Sequence, residues 1–167
     1  ISRWADNKRH PNGPMPAVSK SFEIISTATV AKSANEAKEY GFIGHDDGVS
    51  MNRDRLLFDA KQRALAMVDG YEAPEKPEYR LPGPTGKAAL ELAVDSFHRQ
   101  GMATDHDVTV AGELAYVLSG GETDITQVLT EADMLKLERE AFMRLVRNPK
   151  TQARVEHMLE TGKPLRN

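Results

Sequence analysis

The chain has 167 residues, 40% of them apolar and 28% charged, with a formal net charge of −3. That composition is globular, and a compact body of this length buries roughly 70% of its unfolded surface, enough for a core without covalent staples. The absence of cysteine excludes disulfides, thiol catalysis, iron–sulfur clusters and cysteine zinc sites.

No apolar run approaches the ~18 residues that cross a bilayer, so no membrane span is expected. The near-balance of charge gives no argument for nucleic acid or an anionic membrane surface as a partner. The sequence starts at Ile1 rather than Met and no signal peptide follows it, which leads us to expect an internal piece of a longer, cytoplasmic chain.

Residues 1–16 hold three prolines, a glycine and the basic residues Arg3, Lys8 and Arg9 without periodicity, the pattern of a mobile arm. Trp4, the single tryptophan, is expected to anchor on a neighbouring surface rather than stack on a ligand. After Pro16, Ala17, Val18, Phe22, Ile25 and Ala28 recur at helical spacing. Ser33-Ala34-Asn35-Glu36 is a capping box, in which the serine oxygen accepts an orphan amide and the glutamate reaches back. The short helix it opens is expected to stop at Gly41, a residue free to take the left-handed conformation.

A loop over 42–51, turning at Asp46-Asp47-Gly48, leads to Asn52 as cap of a longer helix reaching about Val68. Its inner stripe reads Leu56, Leu57, Ala60, Ala64 and Met67/Val68. Prolines 74, 77, 82 and 84 then predict a semi-rigid linker over 71–85.

Beyond the linker, Ala89, Leu90, Ala93, Val94 and Phe97 mark a helix ended by Gly101. Thr104 opens a second with Val108, Ala111, Ala115 and Leu118 on one stripe, stopped by Gly120-Gly121. Thr130-Glu131-Ala132-Asp133 opens a third. Asn148-Pro149 restarts a last helix that ends at Gly162. No segment alternates with period two, so the expected fold is all-α: about seven helices in two groups, 17–70 and 86–167, joined by the proline-rich linker.

The candidate chemistry is sparse. Leu81-Pro82-Gly83-Pro84-Thr85-Gly86-Lys87-Ala88 is not a phosphate loop: the required first glycine is Leu81 and the hydroxyl that would follow the lysine is Ala88. His45-Asp46-Asp47 and Asp105-His106-Asp107 read as solvated turn and cap residues rather than metal ligands, with Asp105 and Asp107 suited to a helix's first turn. Glu156, His157 and Glu160 share a surface helix without a metalloprotease spacing, and His98 complements a helix C-terminus. Gly120-Gly121, followed at once by Glu122 and Asp124, reads as a helix stop and not an anion cradle. No catalytic or metal-binding residue emerges from position alone.

Phe22-Glu23-Ile24-Ile25, followed by Ala31-Lys32-Ser33-Ala34-Asn35-Glu36-Ala37-Lys38-Glu39-Tyr40-Gly41-Phe42-Ile43 and the helix to Val68, resembles the end of the enoyl-CoA hydratase/isomerase (crotonase) fold. Arg80-Leu81-Pro82-Gly83-Pro84, Ala115-Tyr116-Val117-Leu118-Ser119-Gly120-Gly121-Glu122-Thr123, Glu138-Arg139-Glu140-Ala141-Phe142 and His157 through Asn167 are similar to the C-terminus of large bacterial 3-hydroxyacyl-CoA dehydrogenases. The resemblance covers nearly everything after residue 15, and the closing Gly162-Lys163-Pro164-Leu165-Arg166-Asn167 reads as a protein C-terminus.

What the resemblance implies is a parent enzyme of fatty-acid β-oxidation that moves hydride from an acyl-CoA to NAD, with a crotonase-like region of its own. The chain lacks that family's dinucleotide glycines, catalytic histidine–glutamate pair and oxyanion strands, so no catalytic or cofactor-binding residue is carried over and NAD is assigned to the parent alone. The implied role is structural: a helical lid or assembly element, inactive by itself, partnered by the rest of the parent chain and prone to self-association. Two alternatives stand beside it: a lid contacting acyl-CoA, with Lys163 and Arg166 on the CoA phosphates, and a free-standing helical interaction domain.

Overall fold

A computed structural model describes residues 1–7 and 11–167. It is all-α apart from one minimal ladder. The elements run α1 (Ser2–Ala5), α2 (Pro14–Ser26), α3 (Ala34–Glu39), a 3₁₀ turn (Arg53–Arg55), α4 (Leu56–Ala66), β1 (Glu78–Tyr79), α5 (Gly83–Arg99), α6 (Asp105–Leu118), β2 (Leu129–Thr130), α7 (Glu131–Val146) and α8 (Pro149–Thr161). β1 and β2 pair antiparallel, Glu78 opposite Thr130 and Tyr79 opposite Leu129. Two-residue strands are too short to leave an alternating signature, which is why the sequence shows none.

Local chemistry sets the helix ends as the sequence implies. Thr104 and Thr130 each complete a reciprocal box with the aspartate three residues on. Ser33 Oγ accepts from the Glu36 amide, but the Glu36 carboxylate takes the Lys32 amide instead of that of Ser33, so the box expected there is half formed. Asn148 accepts from the Lys150 amide ahead of Pro149, and Gly162 closes α8 in the left-handed region.

The chain divides into two units: a body made of Ile1–Ala28 with Pro77–Asn167, and an insert, Thr29–Lys76. This differs from the grouping expected from sequence. The helix at 17–28 belongs with the C-terminal helices, because Val18 and Phe22 of α2 enter one core with Leu81, Leu90, Val94, Ala115 and Leu118. The buried face of α2 is Ala17, Val18, Ser21, Phe22 and Ile24, whereas Ile25 is exposed.

The proline-rich stretch is a linker only in its first part. Leu81 is 1% exposed, Pro82 caps α5 and Gly83 and Pro84 lie within it. The Gly83 amide donates to the Ser119 carbonyl at 2.8 Å, and a Cβ on Gly83 would stand 1.9 Å from the Thr123 carbonyl oxygen. Only glycine tolerates that approach together with a φ of +62°.

The N-terminal residues are likewise more ordered than a mobile arm. Ser2–Ala5 is helical, Ile1 packs on the core, and Lys20 sits 5.8 Å above the half-buried Trp4 ring. Lys8 and Arg9 lie outside the described residues.

The insert is built differently. Among the described residues, none from Thr29 to Lys76 is buried. The 42–51 loop engages the polar side of α4: Arg63 donates to the Asp46 carbonyl at 2.8 Å and Ser50 donates to Asp59. The stripe expected to face inward is uncovered, with Leu57 82% and Val68 65% exposed and Leu56 and Met67 alike open.

Candidate functional site

Two of the recesses in the body are roomy and mainly apolar. The first is a groove of ≈ 690 Å³ along α6 and α7, whose lining includes Val110, Leu114, Val117, Met134, Leu135 and Phe142. Met134, Leu135, Phe142 and Leu145 recur along α7 at the spacing of one helix face, so the groove follows from helical periodicity. Its polar lining is mostly paired. Glu113 accepts from Arg144 Nε at 2.9 and 3.1 Å and from Nη2 at 2.7 Å, and that guanidinium lies 5.0 Å over the Tyr116 ring. Donating these hydrogen bonds to Glu113 holds the charged form of Arg144 and raises its pKa.

The second recess is a slot of ≈ 620 Å³ between α2 and α5, lined by Phe22, Leu90, Val94, Phe97 and Met102, with Arg166 from the C-terminal segment. Arg166 Nη2 donates to the Met102 carbonyl at 2.8 Å, fastening the end of the chain beside the slot. Lys163, named with it from sequence, is exposed, and its amide donates to Thr161 Oγ1 at 3.2 Å. Arg166 thus lines the slot, and Lys163 lines neither of these two recesses.

Between α6 and α8 lies a clasp of polar groups. Arg154 pairs with Asp107 at 2.8 Å, donates to Thr104 Oγ1 at 3.2 Å and donates through Nε to Asn167 Oδ1 at 2.8 Å. Burial acts to raise the pKa of Asp107, but hydrogen bonds from Thr104 and Arg154 outweigh it and hold the carboxyl below its ordinary range.

His106, beside this pair, departs from the expectation of a solvated cap residue: it is 1% exposed and its Nε2 lies 2.9 Å from Thr151 Oγ1. Asp105 and Asp107 do occupy the first turn of α6, Asp107 in the capping box and Asp105 paired with His98 at 2.9 Å. The turn of α6 points its second residue at α8, and nothing local to the triplet encodes that.

The other candidates serve backbone geometry. His45 and Asp46 contribute carbonyls to Lys38 and Arg63, and Asp47 accepts from the Gly44 amide. The Gly120 and Gly121 amides bond the Val117 and Tyr116 carbonyls, which leaves them unavailable to an anion. Among the described residues no three His, Asp or Glu side chains gather as a metal site. No described helix is long and apolar enough to cross a membrane. The glycines that open α5 are pressed against Thr123 and Pro82 and offer no backbone cradle for a dinucleotide pyrophosphate.

No protein-family model matches the chain, and no solved structure matches it. It is 42% identical over 165 residues to a probable 3-hydroxyacyl-CoA dehydrogenase of Bacillus subtilis. That match covers 98% of this chain and 21% of the relative, so the chain spans about a fifth of the length of the curated protein it matches.

Proposed function

We propose that this chain is the C-terminal helical portion of an NAD-dependent 3-hydroxyacyl-CoA dehydrogenase of fatty-acid β-oxidation, and that its role there is structural. The observation that carries the reading is the 42% identity, sustained over nearly the whole chain, to a stretch making up a fifth of a probable dehydrogenase. NAD and the reacting carbon of the acyl-CoA belong to the rest of the parent, since the glycines here are occupied by packing. Residues 17–70 correspond in this reading to the helical end of a crotonase-like region, and the whole enzyme works in the cytoplasm.

The uncovered apolar stripe of α4 supports the structural role. Leucine and valine side chains left in water at such exposure forgo roughly 1.5–3 kcal/mol each of burial. A surface in the rest of the parent would recover it, and in its absence self-association would do so in part.

An assay of NADH formation from a 3-hydroxyacyl-CoA tests both halves. The chain alone is expected to be inert, while the parent enzyme turns over and loses assembly or stability with Leu57→Asp. Turnover by the isolated chain, or a parent indifferent to Leu57→Asp, would overturn the reading.

A second reading, a lid that touches acyl-CoA, is favoured by one observation: Arg166 lines an apolar slot. It predicts heat above dilution when acyl-CoA is titrated into the chain, lost in Arg166→Ala and unchanged in Lys163→Ala. A flat titration removes it.

A further inference from the structure

Helix α8 is tied to α6 by a small set of side chains, and the most deeply buried of them is His106. One ring nitrogen, Nε2, meets Thr151 Oγ1 at 2.9 Å; the other, Nδ1, is buried without a hydrogen-bond partner among the described residues. A neutral imidazole needs one donor contact and one acceptor contact, and either tautomer can share a single bond with a hydroxyl. An imidazolium is a double donor, and the site provides one oxygen. Protonation there would bury a second N–H with nothing to receive it.

The charges around the ring act in the same direction. From α8, Arg154 and Lys150 face it with positive charge. From α6 the adjacent Asp107 would attract an imidazolium, but that carboxylate is already engaged by Arg154 and by the Thr104 amide. Asp105 is turned to His98 of α5. From the C-terminal segment Asn167 adds a neutral amide to Arg154.

We propose that His106 is an acid-sensitive latch that holds α8 and the C-terminal segment against α6, and that protonating it releases them. The release would carry Arg154 out of the α6/α7 groove and loosen the segment that brings Arg166 to the apolar slot. The latch is independent of the dehydrogenase reading, because every group in it belongs to this chain.

Burial, followed by Arg154 and Lys150, pushes the imidazole pKa below the ordinary value near 6.5. The unfolded or undocked state therefore binds more protons than the docked one in mildly acidic solution. Docking is strongest above pH ~6.5 and weakens as the pH falls below it. Loss of the Asp107–Arg154 pair requires protonating a carboxyl held below its usual range, so it belongs to a more acidic window.

Amide hydrogen exchange on the whole chain, corrected for the intrinsic pH dependence of exchange, tests this between about pH 7.5 and about pH 5.5. Peptides from α8 and residues 162–167 are expected to exchange about tenfold faster at the lower pH, with α5 unchanged, and His106→Asn should abolish the difference. NMR titration of the His106 imidazole in the unsubstituted chain should give a midpoint below that of a free histidine, and it decides the matter if the variant does not fold. Equal protection at both pH values, pH dependence surviving in His106→Asn, simultaneous loss of α5 and α8, or an ordinary midpoint would each overturn the latch.

Discussion

Helices α4 and α5 carry comparable apolar stripes in sequence, and they meet opposite fates. In α5, Leu90 and Val94 close against α2 and α6. In α4, Leu56 and Leu57, with Val68 just past its end, stand in water, and their unit contains no buried residue among those described. Periodicity thus says which face of a helix is to be covered, and says nothing about what covers it. The body has supplied its own cover from both ends of the chain; the insert has not.

That contrast can be broken most sharply at Leu81. Truncation by Leu81→Ala removes a fully buried side chain from the middle of the core and should cost about 3 kcal/mol in urea unfolding. A loss below about 1 kcal/mol would mean that the body is held by something other than this core. Thr104→Ala is the intermediate case. The hydroxyl caps α6 and also receives a hydrogen bond from Arg154, so about 1 kcal/mol should go, with α8 losing protection before α5. The smallest effect belongs to Leu57→Ala in the isolated chain. There, stability should change by less than about 0.5 kcal/mol while self-association, read by sedimentation, declines. A core-sized loss from that change would show the insert to be packed after all.

These differences also mark what could be read from the residues in order. Helix boundaries at Ser33, Thr104, Thr130 and Asn148 were legible because a cap is settled within three or four residues of itself. The assignment of α2 to the body was not, because its partners Leu81, Leu90 and Leu118 lie far along the chain. A clue stood in the proline run: Leu81 is a lone large apolar side chain inside a stretch otherwise suited to water. The recesses were partly legible. Arg166 was identifiable as a basic residue near the end, but the slot it lines needs three segments brought together. His106 was hidden altogether, since a histidine between two aspartates in a first turn looks solvated until α8 is laid across it.

The split composition of the body has a consequence for its biosynthesis. Helix α2 leaves the ribosome before β1, α5 and α6 exist, so Val18 and Phe22 must wait for the translation of the entire insert and two further helices. At ~5–20 residues per second that delay lasts on the order of seconds to tens of seconds, far longer than a helix takes to form. During it a nascent amphipathic helix presents a greasy face to water, which makes α2 a segment on which a chaperone would have time to act.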